Sequence, residues 1–185
     1  MFKKAVIVGT GLIGGSLALA LKKKKLAMRV CGISRHKESL ELAKRIGAID
    51  RGSQDSAIAK DADLLILALP VSAILKTAPE FAKIIDRGCI VCDVGSTKEE
   101  IVAKLDKIFP NYVGMHPMAG SEKRGIKNAR IDIFNKSICV LTPTKKTNKR
   151  ALKKIKRFWA KLGVKIMVLS SSSHDQALSF VSHLP

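Results

Sequence analysis

The hydrophobic residues of this chain form two alternating patterns, which predict an alternation of strands and helices. Short continuous apolar runs occur at residues 5–8, 29–33 and 63–69, and such runs are typical of strands that are buried on both faces of a parallel sheet. Segments with apolar residues at helical spacing separate these runs, at residues 12–25 and 38–46. Strands that alternate with helices in this way predict βαβ units.

The same alternation continues through the second half of the chain. The further predicted strands cover residues 89–94, 112–115, 137–141 and 165–169, and the further predicted helices cover residues 71–86, 97–109 and 147–162. Pro79 interrupts the first of these helices and marks a point at which it can divide. The predicted fold is therefore α/β, a Rossmann-type doubly wound, mainly parallel sheet with helices on both faces, over residues 1–170.

The composition is that of an ordinary globular protein, with 46% hydrophobic and 26% charged residues. No apolar run is long enough to cross a bilayer, and the short run that follows the N-terminus is typical of a strand rather than of a signal peptide. We therefore expect a cytoplasmic protein without a membrane partner. The four cysteines lack the spacing of a zinc site, so no metal is expected and the thiols are expected to be reduced and mostly buried.

The chain is strongly basic, with a formal net charge of +19, and residues 145–165 contain no acidic residue. Such a charge balance can indicate a protein that binds nucleic acid or another anionic surface. It can equally belong to a solvated, lysine-rich surface that attracts anionic ligands. The second interpretation is favoured, and nucleic acid is not the expected partner, because the sequence contains no zinc finger, basic zipper or aromatic RNA-binding motif.

The first candidate site is a G-x-G-x-x-G sequence that directly follows a predicted strand and opens a predicted helix. Its glycines allow a tight turn, a close approach of the backbone to a pyrophosphate and close packing of the helix on the strand. The N-terminus of the helix then offers free N–H groups to the phosphates. The residues predicted to bind a dinucleotide here are Gly9, Thr10, Gly11, Leu12, Ile13 and Gly14.

The second candidate site follows the next predicted strand. Many NAD-binding proteins place a carboxylate about 20 residues after the glycines, where it accepts hydrogen bonds from the ribose. Here the chain reads Ser34, Arg35, His36 and Lys37, without a carboxylate. A hydroxyl and three potential cations suit the 2′-phosphate of NADP. The predicted cofactor is therefore NADP, with NAD as the alternative.

Two polar sequences follow later strands, D-V-G-S-T-K and H-P-M-A-G-S-E-K. Ser96 in the first sequence is placed to reach a nicotinamide or a substrate hydroxyl, and it is also a candidate N-cap for the next helix. His116 opens the second sequence at the end of a strand. Imidazole titrates near neutrality and can accept a hydroxyl proton while hydride leaves the same carbon, so His116 is the candidate base.

Together with the glycine motif and the terminal S-H-L-P, these sequences occur in an order that resembles the prephenate/arogenate dehydrogenases of tyrosine biosynthesis. The resemblance implies an oxidative decarboxylation of prephenate or arogenate. Hydride passes from the ring carbon that bears the hydroxyl to NAD(P)+, and the ring carboxylate leaves as CO2. It implies that His116 is the base for that hydroxyl and that Ser96 contacts both the hydroxyl and the nicotinamide.

The resemblance implies further site residues and a further domain. Residues implied to order or contact the substrate are Ser121, Glu122 and His183, and those implied to flank the cofactor are Leu69, Pro70 and Val71. Family members continue into a helical domain that supplies a homodimer interface and part of the substrate site. Residues 171–185 are therefore expected to begin the linking helix, with Ser173 as its cap. We expect the chain to bind cofactor with little or no turnover.

Three alternative functions remain open from the sequence. Another dehydrogenase, of the β-hydroxyacid or imine type, would share the glycine motif but is not expected to carry H-P-M-A-G-S-E. A basic nucleic-acid-binding protein would use residues 145–165. A dinucleotide-binding redox sensor without catalysis would leave Ser96 and His116 without a role. The choice between prephenate and arogenate also remains open.

Overall fold

The computed structural model describes residues 1–182, which form an eight-stranded sheet with helices on both faces. The strands are β1 (Phe2–Val8), β2 (Ala27–Ile33), β3 (Arg51–Ser53), β4 (Leu64–Leu67), β5 (Ile90–Asp93), β6 (Tyr112–Pro117), β7 (Ile138–Thr142) and β8 (Lys165–Val168). The α-helices are α1 (Leu12–Lys23), α2 (Lys37–Arg45), α3 (Val71–Ile84), α4 (Glu99–Ile108), α5 (Lys149–Lys161) and α6 (Ser171–Ser182). Within residues 1–182, no helix is long and apolar enough to cross a membrane.

The order of the strands confirms the predicted doubly wound fold. It is β3-β2-β1-β4-β5-β6-β7-β8. Strands β1 to β6 pair in parallel, β7 pairs antiparallel with β6, and β8 is parallel to β7. The chain leaves β1 towards β2 on one side and returns to β4 on the other. This reversal creates a crevice at the carboxyl ends of β1 and β4, where sheets of this type bind ligands.

The continuous apolar runs arise because the central strands are covered on both faces. In β1, Ala5 and Ile7 contribute to one hydrophobic layer, while Val6 and Val8 contribute to the opposite layer. Helices α1, α2 and α5 cover the first face, and α3 and α4 cover the second. The buried cysteines obey the same alternation, since Cys92 faces the first layer and Cys89 the second.

Two features of the middle of the chain differ from the sequence expectation. Strand β3 was not predicted, because its three residues are partly exposed at the sheet edge and carry no apolar pattern. Helix α3 continues through Pro79 without a division. Pro79 lies on the exposed side of the helix, while Ala78 and Phe81 beside it are buried, so packing against the sheet holds the helix together.

The start of α6 also differs from the expectation. The helix begins at Ser171, and the side chain of Ser170 accepts a hydrogen bond from the backbone N–H of Ser173 at 3.0 Å. Ser170 therefore occupies the N-cap, and the prediction of Ser173 as the cap is wrong. All four residues from 170 to 173 are serines, so their order in the sequence could not indicate which one begins the helix.

The basic residues of α5 lie on a solvated face. Lys153, Lys154 and Arg157 have exposed side chains, whereas Ile155 and Trp159 are fully buried against the sheet. This separation is that of an amphipathic surface helix. The basic residues of α5 therefore form the exposed face of a helix whose apolar face packs on the sheet.

Candidate dinucleotide site and adjoining polar cluster

The glycine-rich turn after β1 is fixed by two contacts that only glycine allows. Gly9 has a φ of +96°, and a Cβ atom there would lie 2.2 Å from the carbonyl oxygen of Ala68. A Cβ atom on Gly14 would lie 2.0 Å from the carbonyl oxygen of Gly9. A Cβ atom on Gly11, by contrast, would meet no atom within 4 Å. Gly9 and Gly14 are therefore required by the turn, while Gly11 leaves open space.

That open space belongs to a groove of about 370 Å³ at the carboxyl ends of β1, β4 and β5. The lining residues are Gly11 to Gly14, Ala68 to Val71, Val94 to Ser96, Ser121 and Lys123 to Gly125. The structure thus brings together Leu12, Ile13, Leu69, Pro70, Val71, Ser96 and Ser121, which the sequence analysis assigned to the site. The groove coincides with the crevice that the strand order creates.

Two cations in this groove, Lys123 and Arg124, were missed by the sequence analysis. They lie in the same motif as His116, and no local signal in the sequence predicts where this loop folds. The loop is drawn over α1 because the buried side chain of Ile126 packs against Gly15. In addition, the backbone N–H of Arg130 donates to the hydroxyl of Ser16 at 3.0 Å.

The groove residues fit an anionic dinucleotide. The first turn of α1 offers unpaired N–H groups and the positive end of the helix dipole. The cationic side chains of Lys123 and Arg124 line the groove, and no carboxylate of residues 1–182 does. A side chain on Gly11 would fill part of this space. Backbone, charge and shape therefore agree with a phosphate-bearing ligand at this position.

Thr10 was predicted to bind a dinucleotide, but its side chain does not line the groove. Its side chain is only 4% exposed, and its methyl group lies over Gly32, where a Cβ atom would be 2.8 Å away. Its hydroxyl oxygen finds no hydrogen-bond partner among residues 1–182. Gly9 lies beneath the groove as well, and its N–H donates to the carbonyl of Ile33 at 2.8 Å. Thr10 and Gly9 therefore support the turn through contacts with β2 and do not line the groove.

The basic segment after β2 lies next to the glycine turn. Ser34 is partly buried, and its hydroxyl accepts a hydrogen bond from the N–H of His36 at 3.2 Å. The side chains of Arg35, His36 and Lys37 are exposed. The side-chain amide of Gln54 donates to the carbonyl of Arg35 at 2.7 Å, which ties the segment to the chain beyond β3. The three cationic or titratable side chains therefore remain available to a ligand.

His116 lies near the carboxyl end of β6 and is the centre of a polar cluster. Its Nδ1 atom is 2.9 Å from Nε2 of His174, and Nδ1 of His174 is 2.6 Å from a carboxylate oxygen of Asp175. Burial lowers the pKa of His116 from 6.5 to about 4, and the neighbouring His174 and Lys98 act in the same direction. His116 is therefore neutral near pH 7 and able to accept a proton.

A buried ion pair lies next to this histidine. Lys98 and Asp93 are both fully buried, and the ammonium group of Lys98 donates to the Asp93 carboxylate and, at 3.2 Å, to the carbonyl of Met115. The same carboxylate accepts the hydroxyl of Tyr112 at 2.7 Å and the N–H of Gly95 at 2.8 Å. Burial and the nearby Asp93 raise the pKa of Tyr112, so its hydroxyl stays protonated as a donor.

The N-terminus of α4 is capped from another helix. The carboxylate of Asp175 accepts the backbone N–H groups of Lys98 at 2.7 Å and of Glu99 at 2.8 Å. Ser96 is exposed and makes no cap, so the interpretation of Ser96 as the N-cap is wrong. Ser96 lines the groove.

Some expected site residues remain outside this cluster. Glu122 has an exposed side chain, and no hydrogen bond or ion pair joins it to His116 among residues 1–182. His183 lies outside the described residues. Conversely, Asp93, Lys98 and Asp175 were not predicted as functional. Asp93 and Lys98 stand in the same motif as Ser96, but no local pattern shows that they pair or that Asp175, 77 positions after Lys98, caps the helix.

The comparisons with known proteins agree with this geometry. Residues 17–168 match the family described as prephenate dehydrogenase, nucleotide-binding domain. A prephenate dehydrogenase of Bacillus subtilis (strain 168) is 37% identical over 186 residues, which cover 97% of this chain and 50% of the relative. A cyclohexadienyl dehydrogenase of Zymomonas mobilis is 32% identical over 188 residues, which cover 100% of this chain and 64% of the relative.

Solved structures show the same similarity in three dimensions. A prephenate dehydrogenase from Aquifex aeolicus, in complex with hydroxyphenyl propionate and NAD+, superposes with a TM-score of 0.95 at 33% identity, covering 99% of this chain and 65% of that one. An arogenate dehydrogenase from Synechocystis gives a TM-score of 0.93 at 33% identity, covering 97% of this chain and 64% of that one.

The matched lengths show which part of its relatives this chain corresponds to. It spans about half the length of the Bacillus subtilis relative and of a similar Lactococcus lactis prephenate dehydrogenase. The family match covers most of the residues that build the sheet and its helices. On these grounds, the chain belongs to the family of prephenate dehydrogenase nucleotide-binding domains.

Proposed function

We propose that this chain is the dinucleotide-binding part of a prephenate or arogenate dehydrogenase and that it prefers NADP+ to NAD+. The observation that carries the proposal is the groove at the carboxyl ends of β1 and β4, with His116 on a neighbouring strand end. Related proteins with the same fold include a prephenate dehydrogenase solved with NAD+ and an arogenate dehydrogenase.

In this proposal each part of the groove has a separate task. The first turn of α1 binds the pyrophosphate through its N–H groups, and Lys123 and Arg124 add positive charge. Leu69, Pro70 and Val71 hold the dinucleotide against the carboxyl end of β4. The bound nicotinamide supplies the acceptor for hydride.

The residues beyond the groove handle the substrate. Ser96 contacts the nicotinamide and the substrate hydroxyl. His116, which is neutral near pH 7, accepts the proton of that hydroxyl as hydride leaves the same carbon. Ser121, Glu122 and His183 contribute to the substrate side of the site. Loss of the ring carboxylate as CO2 then forms the aromatic ring.

The preference for NADP+ rests on the segment after β2. Its exposed Arg35, His36 and Lys37 lie beside the glycine turn, and no carboxylate stands among residues 32–37. A 2′-phosphate carries negative charge and several acceptor oxygens, which pair with such donors. A ribose hydroxyl would lack the carboxylate partner that is common in NAD-selective sites.

For the longer protein we also propose a cytoplasmic homodimer, joined through a helical region that follows α6. That region would complete the substrate site. We therefore expect this chain to bind dinucleotide with little turnover of its own, since its relatives are up to about twice as long.

Calorimetric titration with NADP+ and with NAD+, at low and high salt, tests the proposal. We expect saturable binding of both, with NADP+ at least about tenfold tighter, which corresponds to roughly 1.4 kcal/mol. Tighter binding of NAD+ would overturn the cofactor preference but keep the dinucleotide site. Absence of binding to either would contradict the dinucleotide site in this chain. Steeply salt-dependent binding of duplex DNA or RNA instead would support the basic-surface alternative.

A further inference from the structure

The hydrogen bonds around His116 determine which of its ring nitrogens carries the proton. The chain of contacts begins at Asp175, whose carboxylate accepts the N–H groups of Lys98 and Glu99 at the start of α4. The end of a helix that exposes its N–H groups stabilises an anion. Although burial opposes it, hydrogen bonds from Glu99, His174 and Lys98 hold the pKa of Asp175 below its ordinary value. Asp175 is thus an acceptor without a proton of its own.

The next member, His174, must give a proton to this carboxylate. Its side chain is 1% exposed, and its Nδ1 atom lies 2.6 Å from Oδ1 of Asp175. Because an ionised carboxylate only accepts hydrogen bonds, Nδ1 of His174 carries the hydrogen. In neutral imidazole the other nitrogen is then an acceptor. With His174 as the neutral imidazole, Nε2 presents a lone pair; a doubly protonated ring would instead donate from Nε2 and reverse the His116 tautomer, which is the outcome that overturns the inference below.

The contact between the two histidines completes the chain. Nδ1 of His116 lies 2.9 Å from Nε2 of His174, which is a hydrogen-bond distance and requires one hydrogen between the two atoms. Since Nε2 of His174 offers a lone pair, that hydrogen belongs to His116. We infer that His174 and Asp175 are positioning residues, which fix the proton of His116 on Nδ1 and leave Nε2 as the acceptor.

This inference adds two residues from α6 to a site whose other members lie on or beside β1, β4, β5 and β6. The position of the proton on Nδ1 does not depend on the proposed function. Only the statement that Nε2 accepts the proton of a substrate hydroxyl rests on it. A base that must receive a hydroxyl proton needs a free lone pair at the reacting side. The opposite tautomer would place a hydrogen there and prevent the transfer, as loss of the orienting carboxylate does in triads of this kind.

Nitrogen NMR on the whole chain, labelled with 15N-histidine, tests the inference without turnover or cofactor. Long-range proton–nitrogen spectra near pH 7 distinguish a protonated from an unprotonated ring nitrogen, and the signals are assigned with His116→Gln. We expect Nδ1 of His116 to be protonated and Nε2 to be unprotonated. The reverse pattern at His116 in the unmodified chain would overturn the inference.

Two variants change the hydrogen-bond chain in different ways. Asp175→Asn removes the ionised acceptor of Nδ1 of His174 and leaves one oxygen for three donors, so the preference of His174 for a proton on Nδ1, and with it that of His116, should weaken or reverse. His174→Phe removes the partner of His116 altogether, and the preference for Nδ1 should be lost. If both variants keep their amide spectrum and leave the His116 tautomer unchanged, the inference is wrong.

The matched control is Asp132→Asn, which makes the same change of charge at an exposed carboxylate paired with Arg130. Its histidine spectrum should equal that of the unmodified chain. A titration of the same samples with NADP+ separates the two proposals. A chain that binds no dinucleotide but shows the expected tautomer contradicts only the proposed function. A chain that binds dinucleotide with the reverse tautomer contradicts only the inference.

Discussion

Two neighbouring regions at the carboxyl edge of the sheet are built in opposite ways. The glycine turn after β1 can form only because side chains are absent, since Cβ atoms on Gly9 and Gly14 would collide with backbone atoms. The cluster around His116 works by side chains that are buried and mutually satisfied, such as Lys98 and Asp93. The first region depends on shape, and the second depends on charge.

This difference determines whether a substitution in each region lowers ligand binding, stability or both. A clash in the glycine turn displaces backbone and alters the shape of the groove, so its effects on folding and on ligand binding are coupled. A lost partner in the cluster leaves a charge or a polar atom buried without compensation, which acts first on stability.

The largest effect is expected from Lys98→Met, which removes the ammonium group that compensates Asp93. Both side chains are fully buried, so the Asp93 carboxylate would be left without its cationic partner. Removing one member of a buried ion pair costs about 3–5 kcal/mol. Urea denaturation should show a loss of this size in the free energy of unfolding.

The control for this prediction is Lys104→Met, the same change at an exposed position of the same helix. It should alter the free energy of unfolding by less than about 0.5 kcal/mol. In the Lys98→Met background, Asp93→Asn should recover part of the loss, because it removes the uncompensated charge. A loss below about 1 kcal/mol for Lys98→Met would show that charge compensation does not hold this cluster together.

The glycine turn is tested by comparing Gly14→Ala with Gly11→Ala. A Cβ atom on Gly14 would lie 2.0 Å from a carbonyl oxygen, so we expect a loss of about 1–3 kcal/mol in stability together with weaker dinucleotide binding. A Cβ atom on Gly11 meets no atom within 4 Å and projects into open space. Gly11→Ala should therefore keep the stability within about 0.5 kcal/mol yet weaken binding about tenfold or more. Equal behaviour of the two variants, measured by denaturation and calorimetry, would contradict the assignment of separate roles.

A pH dependence of stability is expected from His116. The unfolded chain protonates this histidine near its ordinary pKa of 6.5, while the folded chain protonates it only near pH 4. The contribution of His116 to stability is therefore fully present above pH 6.5 and is lost as the pH falls towards 4, because the unfolded state binds this proton more readily.

The measurement is urea denaturation of the unmodified chain and of His116→Asn across this pH range. The variant should lose about 1–2 kcal/mol less on acidification, after allowance for the partial exposure of the ring. His36→Asn, a change of an exposed histidine, should keep the pH dependence of the unmodified chain. Parallel curves for His116→Asn and the unmodified chain would exclude His116 as the source.

The smallest effect is expected at the segment after β2, where an exposed side chain rather than buried charge is proposed to select the ligand. Arg35→Ala should lower the affinity for NADP+ about tenfold and leave that for NAD+ within about twofold. Arg45→Ala removes the same charge at the far end of α2 and should change neither affinity. Equal losses for the two nucleotides would assign Arg35 to general attraction instead of recognition of the 2′-phosphate.

The two regions also differ in how far the sequence predicts them. The glycine turn was predicted because its residues are consecutive and each has a local reason to be glycine. The cluster was predicted only through His116 and Ser96. Lys98 and Asp175 could not be joined in advance, since a contact between residues that are 77 positions apart depends on the packing of α6 against α4.

The rest of the fold shows the same contrast between features with a local sequence pattern and features without one. Continuous apolar runs were sufficient to predict the central strands, because burial on both faces leaves a strong local pattern. The edge strand β3 has no such pattern and was missed. Lys98 lies at the start of the helix predicted over residues 97–109, and only the fold shows that its ammonium group turns inward to Asp93.

Because one carboxylate caps α4 and also orders the histidines, the first turn of α6 joins two parts of the molecule into a single cooperative unit. A local opening that lifts Asp175 away would release the N–H groups of Lys98 and Glu99 and the hydrogen bond to His116 together. The amide hydrogens of Lys98 and Glu99 should therefore exchange with solvent at the same opening free energy as the first turn of α6. The docking of α6 and the position of a proton on His116 are then linked equilibria, so that whatever favours one must favour the other.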